Sequence, residues 1–142
     1  IKSDEKLTEL REFMGDVWDR IEPVMLQRFA SHPTVVAETK VFLKSLGGAQ
    51  CCILVFMLKQ DYPDKRIATE GVCAAIQNML LMAYDRGIGS CWMTAAISAG
   101  MDEDLRLKYA PEHGEFVAAV TLGYPAQSPK APKRKEGRFE II

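Results

Sequence analysis

The stretch RGIGSCWMTAA, residues 86–96 of this 142-residue chain, has residue types and spacing that could serve a ligand site. Gly87 and Gly89 would let the backbone turn sharply and lie close against a flat ligand. Trp92 and Met93 would give that ligand apolar walls. The alternative is structural, with a glycine that ends the preceding helix and a short strand that carries a core tryptophan. The residues alone leave both interpretations open.

A basic cluster near the C-terminus is the second candidate. It places five positive charges within nine residues: Lys130, Lys133, Arg134, Lys135 and Arg138. Such a cluster can bind a phosphate group through charge-assisted hydrogen bonds. It can equally be a solubilising tail, because the surrounding segment AQSPKAPKRKEGRFEII is rich in proline and lysine and is expected to be extended on the surface.

Side chains suited to acid–base or nucleophilic catalysis are few. His32 and His113 stand alone in predicted loops, where a histidine is more often solvated than catalytic. Ser90 does not belong to a nucleophile elbow, because Trp92 occupies the last glycine position of that motif. Cys91 is either a reactive thiol or a small buried residue. No set of residues has the spacing of a metal site.

Composition narrows the class of protein. The net charge of −1, with 48% apolar and 26% charged residues, is typical of a globular chain and argues against a nucleic-acid binder. No apolar run reaches the ~18–20 residues of a membrane helix. The four cysteines form no C-x-x-C pair, which favours reduced thiols in a cytoplasmic protein. We therefore expect one domain over residues 1–142, with neither nucleic acid nor membrane as a partner.

Two helices are predicted in the first third of the chain. Apolar residues at three- and four-residue steps predict a helix with Ser3 as its N-cap. Pro23 is expected to end or kink that helix. Pro33 is predicted to open a second helix, which the glycine pair at 47–48 stops.

A third helix is the most apolar part of the sequence. Thr69 is expected to cap it, and the helix to run to about Tyr84. Between residues 72 and 83 only Gln77 and Asn78 are polar, so burial nearly all round is predicted. A small helix is expected over residues 102–109, with its first residue as the cap.

Two segments are typical of strands. AQCCILVFMLK contains four consecutive apolar residues, 53–56, which predict a strand buried on both faces. EFVAAVTLGYP is predicted to be a central strand, and RGIGSCWM to begin as a short extended segment. Since two strands rarely form a stable sheet, a weaker strand, additional residues or a partner must complete it. The element order predicts an α+β sandwich, with helices packed on a sheet.

Taken together and in this order, these segments resemble the nitroreductase family of flavin-dependent oxidoreductases. DEKLTEL near the start, VAAVTLGYP and the late basic PKRK contribute to the resemblance. Its most specific part is AAIQNMLLMAYDRGIGSCWMTA, which is similar to the family pattern A-x-Q-N-x-x-L-x-A-x-x-x-G-x-G-S-x-W. The resemblance implies a three-layer α+β sandwich, with helices around a mixed or antiparallel sheet.

The resemblance also implies a function. Family members bind flavin mononucleotide (FMN) at the interface of an intertwined homodimer, take a hydride from NADH or NADPH, and pass electrons to nitro compounds, quinones or similar small molecules in a ping-pong cycle. Few catalytic side chains are then needed, because the flavin carries the redox chemistry. By this resemblance the cofactor-binding residues are Ser90, Cys91, Trp92, Met93 and Thr94 along the flavin ring, and Lys133, Arg134 and Lys135 at the phosphate.

The sequence also departs from the family. The arginine- and serine-rich phosphate motif, and the segment with asparagine, glutamine and proline beside the flavin, do not occur in it, and we expect the chain to start just after them. A non-catalytic flavin-binding or interaction protein therefore remains an alternative, as does a specialised flavin enzyme such as a reductive dehalogenase or a flavin-degrading enzyme. A mobile lid is expected within residues 18–40, where Phe29, His32 and two proline breaks could form a cover.

Overall fold

The computed structural model of the chain describes residues 1–128, 130, 131, 133 and 135–138. Its elements are α1 (Asp4–Arg28), α2 (Pro33–Ser45), a 3₁₀ turn (Leu46–Gly48), β1 (Cys51–Phe56), α3 (Lys65–Asp85), β2 (Gly89–Met93), α4 (Ala95–Ser98), α5 (Asp102–Tyr109) and β3 (Phe116–Gly123). None of the described helices combines the length and the apolarity that a membrane crossing requires.

The three strands form one antiparallel sheet in the order β1-β3-β2. Thr121 on β3 pairs with Cys52 on one side and with Cys91 on the other, so these three residues form one row across the sheet. All residues from Phe116 to Thr121 are buried, which confirms the prediction that this strand is central. The extended segment GSCWM supplies the third strand that the sequence required.

The prediction for β1 was wrong in one respect. Of its six residues only Cys52 is buried, and the others are half-buried. The reason is position, because β1 lies at the edge of the sheet and has β3 as its only strand neighbour among the described elements. The backbone of Ile1 pairs with the outer edge of this strand, since each of Ile1 and Cys52 donates its N–H to the other's carbonyl, at 2.8 and 3.0 Å.

Helices cover both faces of the sheet, which gives the three layers that were predicted. One face packs against α1, α2, α4 and α5 in a core that contains Leu10, Trp18, Cys52, Met93 and Leu105. The other face packs against α3, with Ile76 and Val120 at the centre of a smaller core. The α+β fold class is therefore confirmed.

Helix α1 begins where its cap predicts but does not stop at its proline. Ser3 is the N-cap, and its hydroxyl oxygen accepts a hydrogen bond from the N–H of Lys6 at 3.3 Å. The helix continues through Pro23 to Arg28, so the proline does not end it, and the kink that was the other expectation stays a prediction. Pro23 is exposed, so water can solvate the Asp19 carbonyl, which lacks a donor four residues on.

Two other caps differ from prediction. Asp64, not Thr69, caps α3, and its carboxylate accepts a hydrogen bond from the N–H of Arg66 at 2.8 Å. Thr69 is instead the fifth residue of α3, and its hydroxyl donates a hydrogen bond to the Lys65 carbonyl at 2.8 Å. Asp102 is the first residue of α5 and not its cap. Pro33 does open α2, as predicted.

The expectation that α3 is buried nearly all round was also wrong. Only Ile76 and Ala83 are buried, because the sheet covers one face of the helix. The opposite face exposes large apolar side chains, with Leu81 58%, Met82 56% and Tyr84 84% accessible. Within the described residues nothing covers this face.

The buried Cys52 thiol makes stability depend on alkaline pH. Its exposure is 0%, and burial raises its pKa from 9.0 to about 11. Because the folded-state pKa exceeds the unfolded-state value, the thiol's contribution to stability is complete below pH 9 and is lost as pH rises through 11. We expect the free energy of unfolding in urea to fall by about 1 kcal/mol between about pH 9 and 10.

The substitution Cys52→Ala should remove this fall, whatever its effect at neutral pH. Cys73→Ala, at a half-buried thiol, is the matched control and should keep it. An equal fall in Cys52→Ala and in the unmodified chain would assign the pH dependence to another group.

Candidate functional site

A cavity of about 1220 Å³ lies between the C-terminal half of α1, helix α2 and the end of β2. Its α1 wall includes Ile21, Val24 and Met25, and its α2 wall includes Val41 and Phe42. The floor is formed by residues of β2, of α4 and of the position between them, namely Cys91, Met93, Thr94, Ala95 and Ser98. The stretch singled out in the sequence therefore faces a space large enough for a small molecule or a cofactor.

The alternation of side chains along β2 divides the predicted ring-binding residues. Cys91 and Met93 point to the face covered by α1 and α2, and with Thr94 they line the cavity. Trp92 packs on the other face of the sheet, in the α3 core. Ser90 is exposed and is not part of the cavity lining. Successive residues of a strand point to opposite faces, so a contiguous stretch cannot present all five side chains to one ligand.

The glycines of the motif serve the structural alternative. Gly87, at φ +69°, ends α3, and the N–H of Ile88 donates to the Ala83 carbonyl at 2.9 Å. A Cβ on Gly89 would lie 3.3 Å from both the Gly123 carbonyl oxygen and the Pro125 side chain. The two glycines therefore shape the turn and its packing, and the surface turned to the cavity comes from Cys91, Met93, Thr94 and Ala95.

The free edge of β2 adds backbone groups to this surface. Because β3 is the one strand that pairs with β2 among the described elements, alternate residues of β2 direct their N–H and C=O groups away from the sheet. Among the described elements no further strand covers that edge. Polar backbone groups beside an apolar floor can hydrogen-bond the rim of a flat heteroaromatic ring.

The tail reaches the cavity at one described position. Gln127 belongs to the lining, whereas Lys133 and Lys135 are exposed and do not. Arg134 lies outside the described residues. Its phosphate-binding role, and that of its two lysine neighbours, stays a prediction.

Charged residues that sequence reasoning missed also line the cavity. They are Arg20 and Arg28 on α1 and Glu38 on α2. Their sequence signal was present, since Arg20, Val24 and Arg28 recur at four-residue steps on one helix face. Without the position of α2, that pattern is the same as for a solvated helix surface.

Two ion pairs join the walls of the cavity. The Lys40 ammonium lies 2.8 Å from a Glu22 carboxylate oxygen, and the Lys44 ammonium lies 3.2 Å from an Asp19 oxygen. The hydrogen bond from Lys40, and then the nearby indole of Trp18, hold the pKa of Glu22 below its usual value. The segment predicted as a lid thus forms two packed helical walls, and its mobility stays a prediction.

The other candidate catalytic groups are not assembled into a site. Burial raises the pKa of the Cys91 thiol, which disfavours the nucleophilic thiolate. His32 shares a 2.8 Å hydrogen bond with Ser31 on the surface, and His113 contacts the ring of Phe56 elsewhere. In the described part of the chain, no cluster of potential metal ligands occurs.

Comparison with known proteins agrees with this architecture. The model of the nitroreductase family matches residues 1–124, and the chain belongs to this family. The "Putative NAD(P)H nitroreductase YfhC" of Bacillus subtilis (strain 168) is 29% identical over 97 residues, which is 66% of this chain and 48% of that protein. The matched part of the chain thus spans about half the length of this curated relative.

Solved structures show the same fold. A "putative nitroreductase in complex with FMN" from Desulfovibrio desulfuricans is 26% identical, with TM-score 0.58, and the match covers 72% of this chain and 60% of that one. Nitroreductase with bound FMN from Bacteroides fragilis is 22% identical, with TM-score 0.66 and coverage of 100% and 73%. A BluB-like flavoprotein from Clostridium difficile is 24% identical, with TM-score 0.61 and coverage of 100% and 77%.

Proposed function

We propose that this chain acts as an FMN-dependent oxidoreductase that uses NAD(P)H to reduce small molecules such as nitro compounds or quinones. One observation carries the proposal. The segment that by resemblance runs along the flavin ring, Ser90 to Thr94, contributes Cys91, Met93 and Thr94 to the floor of the cavity between α1 and α2. The FMN complex of the Desulfovibrio nitroreductase supports the same cofactor here.

The residues present fit a flat, partly polar cofactor. Met93 and Ala95 offer apolar contact, and the free edge of β2 offers backbone hydrogen-bond donors and acceptors. Backbone N–H groups placed there would stabilise negative charge on a bound ring. The phosphate is assigned to Lys133, Arg134 and Lys135, on the family resemblance alone. When bound, FMN would supply the hydride-transfer chemistry.

The surrounding residues would control access to this site. The apolar side chains of Met25 and Phe42 limit the approach of water from the helical walls. The volume of the cavity, about 1220 Å³, is consistent with a donor and an acceptor that enter in turn, as a ping-pong cycle requires. Four free thiols among the described residues also favour the reducing environment of the cytoplasm.

A homodimer is part of the proposal. The exposed apolar face of α3, with Leu81, Met82 and Tyr84, is of the kind that another protein surface covers. A second copy of the chain is the occupant that we propose, with FMN bound at the interface. Sedimentation of the purified protein with FMN should give twice the mass of one chain.

Titration with FMN tests the function directly. We expect the purified protein to take up FMN, to become yellow, and to lose the flavin absorbance when NADH or NADPH is added without oxygen. The control is the same titration with riboflavin, which lacks the phosphate and should bind more weakly. A protein that binds no FMN contradicts the proposal, and one that binds FMN without NAD(P)H oxidation is a flavin-binding protein and not this enzyme.

A further inference from the structure

The charges around the cavity indicate which molecules it accepts. Only three lining residues in the described chain are charged, and two of them, Arg20 and Arg28, are positive against one negative, Glu38. Both arginines are exposed to solvent, and neither forms an ion pair with a described carboxylate. Two acidic residues of the same helix, Asp19 and Glu22, pair with lysines of α2. The positive charge of the α1 wall is therefore available to a ligand.

The two arginines act at separate places. Eight residues of helix correspond to about 12 Å, so one small anion is not clamped by both guanidinium groups at once. The Arg28 guanidinium lies 5.7 Å from the centre of the Phe29 ring, a cation–π contact that restrains it at the cavity rim. A ligand with one negative charge therefore pairs with one guanidinium at a time, and the association constants of the two positions add.

The space between them is apolar. Val24 lies between the two arginines on the same helix face, and Val41 and Phe42 come from the opposite wall. A ligand that fills this space needs an apolar or aromatic body. A negative charge on such a ligand would interact favourably with either guanidinium, at the modest strength of a solvent-exposed ion pair.

We propose that Arg20 and Arg28 form an anion subsite, which selects acceptor molecules that combine an aromatic or apolar body with a negatively charged group such as a carboxylate. This inference rests on the proposed function, because it assigns a substrate class to the same cavity. The arginines would be specificity-determining residues and would take no part in the chemical step.

Equilibrium dialysis with two nitroaromatic probes tests the subsite. 4-Nitrobenzoate and 4-nitrobenzamide have nearly the same shape and differ in charge, and the absorbance of the free probe gives the dissociation constant. FMN is present and no electron donor is added, so nothing turns over. We expect tighter binding of the benzoate than of the benzamide, and a difference that shrinks as salt is raised.

Charge-removing variants locate the effect. Arg20→Gln and Arg28→Gln should each weaken binding of the benzoate by up to about twofold, because the other arginine can still pair with the carboxylate. The double variant should weaken it by roughly fivefold, the upper range for an exposed ion pair, and all three should leave the benzamide unchanged. Glu38→Gln should strengthen binding of the benzoate. Arg86→Gln is the matched control, because Arg86 is exposed at the end of α3 and lies outside the cavity lining.

Arg28 also stabilises the C-terminus of α1, so its variant can lose binding through the helix. Arg20 lies two turns earlier and does not stabilise the end of the helix. The Arg20→Gln variant therefore shows whether the positive charge itself contributes to binding of the benzoate. Equal binding of the two probes, or an equal loss for both in Arg20→Gln, would overturn the subsite. Weaker NADP⁺ binding with unchanged benzoate binding would also overturn it and assign the arginines to the donor's phosphate.

The failure of this inference is separable from failure of the proposed function. If FMN binds and is reduced while the probes show no charge preference, only the subsite is wrong. If FMN does not bind and the benzoate still binds more tightly through Arg20, the subsite stands and the flavin function fails.

Discussion

Replacing Thr94 with tryptophan is expected to weaken FMN binding by at least about tenfold, which corresponds to roughly 1.4 kcal/mol, and to leave the fold intact. Thr94 is exposed on the cavity floor, and its side chain makes no capping hydrogen bond to α4. A larger side chain at this position can project into open space without disturbing the core. The indole would occupy the space beside the β2 backbone in which we place the flavin ring.

The matched control for this variant is Ser90→Trp. Ser90 is also exposed and belongs to the same strand, but it lies outside the cavity lining. FMN titration with flavin absorbance should show near-normal affinity for this control, and thermal unfolding should show both variants folded. Equal FMN affinity in the Thr94 variant and the unmodified protein would place the flavin elsewhere.

Replacing Trp18 with alanine is expected to lower the free energy of unfolding by about 3–5 kcal/mol. Trp18 has 0% exposure and is among the largest fully buried side chains of the core between the sheet and α1. The Lys40 ammonium also lies 5.8 Å from the centre of its ring. Since domains of this size have a total stability of about 5–15 kcal/mol, the loss should leave the variant close to unfolding.

Two further variants serve as comparisons for Trp18→Ala. Trp18→Phe should lower the free energy of unfolding much less than Trp18→Ala, because an aromatic ring still fills the site. The indole N–H that this substitution removes has no regular hydrogen bond, in spite of the nearby Glu22 carboxylate. Trp92 is half-buried, so Trp92→Ala should lower the free energy of unfolding clearly less than Trp18→Ala. Urea unfolding followed by circular dichroism measures all three, and equal losses for the two alanine variants would contradict the assigned core.

The sequence predicted the presence of the main elements better than their surroundings. The apolar runs of β1 and β3 are similar, and both predicted strands buried on two faces. The run in β3 is central and buried, whereas β1 lies at the edge and is half-buried. A run of apolar residues predicts a strand, but it does not predict how many strands pair with it.

The same limit applies to helix α3, whose apolar pattern does not show which of its sides are covered. Its sequence is apolar on nearly every side, and this predicted burial on every side. In one chain only the side that carries Ile76 and Ala83 meets the sheet. The pattern predicted the amount of apolar surface, but it could not predict that Leu81, Met82 and Tyr84 remain exposed among the described residues.

Less of the candidate site could be predicted. The resemblance predicts residues 90–94 as one contiguous binding stretch, but pairing of β2 with β3 directs Trp92 away from the cavity that Cys91 and Met93 line. Arg20 and Arg28 line a cavity because α2 packs opposite them, and the sequence of α1 alone does not show this. Both facts depend on tertiary packing, and spacing along the sequence does not contain them.

The row formed by Cys52, Thr121 and Cys91 across the sheet has a consequence for oxidative damage. Two strand spacings separate the cysteines by about 9.5 Å, which is beyond the Cα separation that a disulfide can bridge. Oxidation of Cys91, the thiol that lines the cavity, therefore cannot be resolved by Cys52 without displacing the central strand. In a protein proposed to handle electrons beside this thiol, the central strand prevents the pair from acting as a competing electron sink.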